Sequence, residues 1–174
     1  LADADFARIA LPHLDAAYTL ARWLVRERAA AEDVVQEAML RALTYFASYR
    51  GDDPRAWLLR IVRNTAYDRL ARTRDAREEP LDAQGAHGHL ADPGRGPEGE
   101  YAASEASRRL REALATLPVE LRECIVLREL EEMSYRDIAR ITGVPVGTVM
   151  SRLFRGRQLL VRLGQTAGAK ESLP

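Results

Sequence analysis

The sequence predicts an all-α protein: two small helical domains joined by a flexible linker, the C-terminal one carrying a helix-turn-helix. Three observations lead there. Apolar residues recur at spacings of three and four through both ends of the 174-residue chain. The composition is 47 % hydrophobic with only three Phe and two Trp, which suits the Leu, Ile, Val and Ala cores of helical bundles. The intervening stretch "DAREEPLDAQGAHGHLADPGRGPEGE", from Asp75 to Glu100, is rich in Gly, Pro, Asp and Glu and cannot build a core. The expected division is residues 1–74, a linker at 75–101, and residues 102–174.

In the first domain the pattern is helical from Phe6 to about Arg74. Pro12 suits a helix first turn, and Leu20, Trp23 and Leu24 form an apolar stripe. Val35, Met39, Leu43 and Phe46 recur at spacings of four and three, which predicts one buried face of a third helix. "YRGDDPRAW" then supplies a Gly turn, Asp candidates for an N-cap and Pro54 at the start of a fourth helix.

Helical periodicity resumes near Ala102. Leu117-Pro118 marks a further helix start, "VELRECIVLREL" provides an apolar stripe, and "QTAGAKESLP" reads as a frayed tail. In "SYRDIARITGVPVGTVMSRLF" a short helix turns Ile138, Ala139 and Ile141 inward, Gly143 supplies a positive-φ turn, and Pro145 begins a second helix. Ala139 is the small residue expected where the two helices cross, with Val149 and Leu153 as apolar anchors. This is a helix-turn-helix pattern.

Composition also excludes several functions. The 26 basic and 26 acidic side chains balance, so attraction to nucleic acid requires segregated charge. One cysteine, Cys124, allows no internal disulfide and reads as a small core residue. His87 and His89, close together in the predicted linker, lack further ligands at suitable spacing for a metal. No nucleophile beside a base and no phosphate-cradling glycine loop is found, so no catalytic residue, cofactor or metal is expected. With no bilayer-length apolar run and no signal peptide, a soluble, cytoplasmic protein is expected.

Three segments carry candidate binding residues. Asp33, Gln36, Glu37 and Leu40 fall at i, i+3, i+4 and i+7, a stripe that is either a docking surface for another helix or a solvated face. From Arg55 to Arg74 six arginines stand against one aspartate, with Arg60, Arg63 and Tyr67 placed together. Basic groups interleaved with an aromatic suit single-stranded nucleic acid; a salt-bridged surface helix is the alternative. From Pro145 to Arg162 there are four arginines and no acid. On a helix opened by Val146, Gly147 and Thr148, the outward residues are expected to be Met150, Ser151, Phe154 and Arg155, which fits a duplex major groove. An Arg-coated surface helix is the bland reading.

Taken together these blocks resemble the bacterial extracytoplasmic-function sigma factors, which direct RNA polymerase to promoters. "AEDVVQEAMLRAL" resembles the family's polymerase-core-binding segment, and "YRGDDPRAWLLRIVRNTAYDRLARTR" the loop and helix that melt and read the −10 element. "LPVELRECIVLRELEEMSYRDIARITGVPVGTVMSRLFRGRQLL" resembles the domain that reads the −35 element. The resemblance implies that Asp33, Gln36, Glu37 and Leu40 dock on core polymerase. It implies that Arg60, Arg63, Asn64 and Tyr67 contact the −10 element, Asn64 with the loop Tyr49 to Asp53 capturing an unpaired base. It also implies −35 contacts by Thr148, Met150, Ser151, Arg152, Phe154 and Arg155. Met150 stands where many members carry Lys or Arg and cannot make a bidentate guanine contact, so more of the −35 preference falls to Ser151, Arg155, apolar contact and DNA shape. The implied partners are core RNA polymerase, promoter DNA and a membrane-attached anti-sigma factor. A stand-alone helix-turn-helix regulator is the alternative.

Overall fold

The computed structural model describes the backbone of residues 2–78 and 101–171, and side chains within 4–77 and 105–165. Among the described residues all regular structure is helical. The first unit contains α1 (Ala2–Ala10), a 3-10 turn (Leu11–His13), α2 (Leu14–Val25), α3 (Arg28–Tyr45) and α4 (Pro54–Glu78). Pro12 sits in the 3-10 turn instead of opening an α-helix. The chain reverses after α2 at Arg26, which takes a left-handed φ of 67° and donates its N–H to the carbonyl of Arg22 at 3.0 Å.

The buried face of α3 differs from the expected one. Ala31, Val34, Ala38 and Ala42 are buried, Val35, Met39 and Phe46 only partly so, and Leu43 is exposed. Small side chains at a helix contact permit closer approach, and α3 packs on both α2 and α4 through this alanine face. A periodicity search weighted toward large residues therefore selects the neighbouring stripe. On α4, Leu58, Leu59, Val62, Thr65 and Ala66 are buried, and Asp53 caps its first turn by accepting from the N–H of Arg55 at 3.0 Å and of Ala56 at 3.4 Å. Phe46, Tyr49 and Trp57 gather at the α3–α4 connection, with Tyr49 and Trp57 ring centroids 5.0 Å apart.

The second unit comprises α5 (Tyr101–Thr116), α6 (Val119–Ile125) continued by a π-helical turn (Val126–Leu130), α7 (Tyr135–Thr142) and α8 (Val146–Glu171). Ser134 caps α7, accepting from the N–H of Asp137 at 3.1 Å while its hydroxyl donates to the Asp137 carboxylate at 2.7 Å. Gly143 (φ 73°) ends α7, its N–H donating to the carbonyl of Ala139 at 2.9 Å. Where α8 passes over α6 the small residue is Gly156: a Cβ there would stand 3.0 Å from the Ile125 side chain. Cys124 is buried, and burial pushes its thiol up to about 11.

Two helices run past their expected ends. Helix α4 continues to Glu78, past the expected linker start at 75, and α8 continues to Glu171 through most of the expected tail. Ala76 and Arg77, and Ala167, Ala169 and Lys170, favour helix, and the first proline after α4 is Pro80. The rest of the predicted linker, with His87 and His89, lies outside the described residues, as do 172–174. The two units are docked: α7 packs on α4, α6 packs on α2, and one apolar core runs through both.

Candidate interaction surfaces

On α3 the stripe is presented outward, but it is not bare. Leu40 is 68 % exposed, while Asp33 and Gln36 are exposed and Glu37 half-buried. Arginines of α3 and α4 answer the acids: Arg41 lies 2.6 Å and Arg72 3.5 Å from Glu37, and Arg69 lies 3.5 Å from Asp33. Arg41 also reaches Asp68 at 2.8 Å. The surface thus combines a protruding leucine with carboxylates held in position by a rail of arginines.

The four α4 candidates separate into two pairs. Arg60 and Asn64 are exposed, whereas Arg63 and Tyr67 are partly buried against the second unit. The Arg63 guanidinium lies 3.7 Å above the Tyr67 ring centroid. It also donates to Glu123 of α6, from Nε at 2.9 Å and from Nη2 at 3.3 Å. Glu123 is fully buried, and Arg152 of α8 stands 3.6 Å from the same carboxylate. Burial pushes the Glu123 carboxyl up, against the opposing pull of Arg63. Burial likewise raises the Tyr67 phenol, and the Glu123 charge adds to it. Of Arg60, Arg63 and Tyr67, only Arg60 is exposed in this conformation. A buried carboxylate brought from another unit draws two of the three inward.

Next to Arg60, a shallow depression is lined by Tyr49, Asp52, Asp53, Trp57 and Arg60, with Arg140 of α7 on its far side. The Tyr49 hydroxyl donates to the Asp52 carbonyl, and Gly51 takes the positive φ of 80° that closes the loop. The loop Tyr49 to Asp53 thus shares this depression with Arg60, and Asn64 is exposed one turn further along α4.

The second helix of the helix-turn-helix begins one residue after Pro145, whose carbonyl accepts from Thr148 at 3.0 Å and Val149 at 3.1 Å. Val149 and Leu153 are buried, as anchors should be. Met150, Ser151, Phe154 and Arg155 are exposed, and Thr148 is half-buried. Arg152 differs: its side chain is only 18 % exposed and turned toward Glu123. Arg157 pairs with Glu129 at 2.6 Å. The acid-free helix of the sequence is answered by carboxylates from α6 and the turn that follows it.

Two family models match the chain in order, Sigma-70 region 2 over residues 9–76 and Sigma-70, region 4 over residues 107–160. The chain is 42 % identical over 135 residues to the ECF RNA polymerase sigma-E factor of Haemophilus influenzae, an overlap of 74 % of this chain and 71 % of that one. The chain belongs to the extracytoplasmic-function sigma factors. Among solved structures this sigma factor is similar to RpoE of Bartonella quintana in complex with the anti-sigma factor NepR, with a TM-score of 0.71 and 28 % identity over 92 % of this chain and 97 % of that one. It is also similar to CnrH in complex with the cytosolic domain of CnrY, with a TM-score of 0.66 and 25 % identity over 94 % and 90 % of the two chains.

Several residues that shape these surfaces in the sigma factor escape the sequence reading. Glu123 and Arg122 sit in α6, a segment buried on nearly all sides, so no amphipathic stripe distinguishes them. The buried Arg122 donates to the carbonyls of Ala115 and Leu117, both at 3.1 Å, and to that of Leu24 in α2 at 3.4 Å, tying the units together. Arg55 of α4 reaches Glu131 at 2.5 Å. The available signal was a charged dipeptide, Arg122-Glu123, inside an apolar run, because charges in such a run are retained when partners satisfy them. Among the described residues no group of His, Cys, Asp and Glu could hold a metal ion, and no helix is long and apolar enough to cross a membrane.

Proposed function

We propose that this sigma factor divides promoter selection between its two units, with residues 1–74 engaging core polymerase and the −10 element and residues 102–174 engaging the −35 element. Asp33, Gln36, Glu37 and Leu40 form the polymerase dock; Arg60, Arg63, Asn64 and Tyr67 meet unpaired −10 DNA; Thr148, Met150, Ser151, Phe154 and Arg155 serve the −35 duplex, with Arg152 turned inward to Glu123 behind them. One observation carries the reading. The first turns of α8 are anchored in the core by Val149 and Leu153 and present Met150, Ser151, Phe154 and Arg155 outward, with no acid on their own stretch of helix. Such a helix end suits base edges and phosphates in a major groove. The protein acts by binding, without chemistry of its own, and works in the cytoplasm where polymerase and DNA are found. An anti-sigma factor covering the α3 stripe and the second unit together gains avidity, because the second contact becomes intramolecular. The likeness to a sigma factor bound to NepR and to CnrH bound to CnrY supports such a partner.

The test is assembly with core polymerase followed by run-off transcription on a promoter library. Asp33→Arg and Leu40→Ala are expected to lower core affinity while the circular dichroism spectrum stays unchanged, since both side chains project outward. Undiminished holoenzyme formation by both variants refutes the assigned dock. Loss of sequence preference at −35 positions in an Arg155→Ala holoenzyme supports the role of α8.

A further inference from the structure

Along the outer side of α8 two rows of side chains run in parallel. One is apolar: Val146, Met150 and Phe154 stand four residues apart, so they share one side of the helix, and they are 41 %, 53 % and 63 % exposed. The other is polar: Thr148, half-buried, with Ser151 and Arg155, both exposed. The Ser151 hydroxyl donates to the Gly147 carbonyl at 3.0 Å, which leaves its lone pairs facing outward. Arg155 therefore supplies the N–H donors of this side. Apolar residues exposed singly are ordinary on a surface, whereas Val146, Met150 and Phe154 form a continuous row on the helix assigned to a groove.

We propose that Met150 and Phe154 select promoters by the C5-methyl groups of thymines in the −35 duplex, while Arg155 supplies hydrogen bonds from the parallel row. This selection rests on the reading of α8 as the −35 helix and adds to it the feature of the base that the apolar row recognises. In the major groove guanine, adenine and cytosine present only acceptors and amino donors, and thymine adds one apolar group, its methyl. A phenyl ring has no hydrogen-bonding group and a thioether is only a weak acceptor. Laid against amino groups or ring nitrogens, such a row would strip their water and return no hydrogen bond. Laid against a methyl, it buries apolar surface on both partners. With α8 lying along the groove, Met150 and Phe154 are separated by about 6 Å of helix rise, or about two base-pair steps, so the thymines read fall within about three adjacent pairs. Charge decides for DNA over a protein surface. The row begins at a helix N-terminus, and no acid lies between Pro145 and Arg162, a setting that complements phosphate.

The experiment uses the full chain assembled with core polymerase. Promoters randomised at the −35 positions are selected by binding to this holoenzyme. Each thymine of the selected −35 duplex, on either strand, is then replaced in turn by deoxyuridine, which removes the methyl and keeps every hydrogen-bonding group. Affinities are compared by competition at fixed salt. At one or two neighbouring thymines the replacement is expected to weaken wild-type binding about fourfold, as the loss of one buried methyl would. Each of these thymines is expected to lose its methyl dependence in Met150→Gln, which keeps the side-chain length but ends in an amide, or in Phe154→Ala.

A selected −35 duplex without any A·T pair, or deoxyuridine duplexes bound as tightly as the thymine ones, overturns methyl recognition. Methyl dependence that survives in both Met150→Gln and Phe154→Ala overturns its assignment to this row. If both variants instead weaken holoenzyme assembly before DNA is added, the row docks on protein and the proposal falls. In each of these outcomes the reading of α8 stands as long as Arg155→Ala still alters binding to the −35 duplex. Where Arg155→Ala has no such effect, the reading of α8 falls together with the proposal.

Discussion

Helices α4 and α8 look alike in sequence and behave differently in the fold. Each is rich in arginine and nearly free of acid over its candidate binding stretch. On α4, Arg55, Arg63, Arg69 and Arg72 all reach carboxylates on other elements, and the helix is packed by α2, α3 and α7. On α8, Arg152 and Arg157 do the same, yet the first turns keep Met150, Phe154 and Arg155 in the open. The difference teaches that charge counted along a helix is not charge displayed. Carboxylates supplied by distant segments decide which arginines remain available to an outside partner.

The largest test of the contrast concerns depth. Leu59 is fully buried in α4, whereas Phe154 of α8 is 63 % exposed although it is the bulkier side chain. Leu59→Ala is expected to lower unfolding stability by about 2–5 kcal/mol through lost burial and the cavity left behind. Phe154→Ala is expected to stay within about 0.5 kcal/mol of wild type, as surface changes generally do. Urea denaturation followed by circular dichroism measures both. Equal costs at the two positions would place Phe154 in a packed site and remove the main argument that α8 is held clear for a partner.

An intermediate effect separates the two helices by the promoter elements proposed for them. Arg60→Ala and Arg155→Ala each remove an exposed guanidinium without disturbing the core. Where the lost contact is to a base, promoter recognition should weaken by about 1–3 kcal/mol at that position alone; where it is to a phosphate, all promoters weaken alike and the salt dependence flattens. Run-off transcription on templates altered separately at −10 and −35, repeated over a salt series, distinguishes these outcomes. The Arg60 defect should track the −10 templates and the Arg155 defect the −35 templates. Interchanged dependence would contradict the assignment of the two units.

Much of this architecture was legible because strong local signals coincided with it. The Gly143 turn, the inward Ile138 and Ile141 and the buried Val149 and Leu153 follow from spacing and turn chemistry, and all are found. The outward positions of Leu40, Met150, Phe154 and Arg155 follow from the same periodicities. What escaped reading depends on distant partners. The alanine face of α3 is recognisable only once α2 and α4 are seen to approach closely, since alanine gives a weak apolar signal. Arg63, Tyr67 and Arg152 turn inward because Glu123 lies between them, and nothing within α4 or α8 announces a carboxylate supplied from α6. Helix ends at Glu78 and Glu171 run past the expected limits because mildly favourable residues continue a helix that is already formed, and this propagation needs no apolar stripe.

The smallest effect tests whether the arginine rail beside the α3 stripe is structural or merely adjacent to it. Arg72 lies 3.5 Å from Glu37, and the two side chains are 63 % and 37 % exposed. Glu37 has a shorter bond to Arg41, at 2.6 Å within its own helix. Water and salt screen the longer pair, and fixing two long side chains costs entropy, so Arg72→Ala should change stability by no more than about 0.5 kcal/mol. The same change leaves Glu37 held by Arg41 but less neutralised, so a basic surface docking on the stripe should feel more negative charge. Core-polymerase affinity should therefore rise slightly at low salt and return to the wild-type value at high salt, where the Debye length falls below the separation of exposed charges. Titration of labelled core polymerase at two ionic strengths measures this. A loss of stability near about 2 kcal/mol, well above what an exposed pair supplies, would make the rail part of the fold, and α4 would then differ from α8 in having none of its paired arginines to spare.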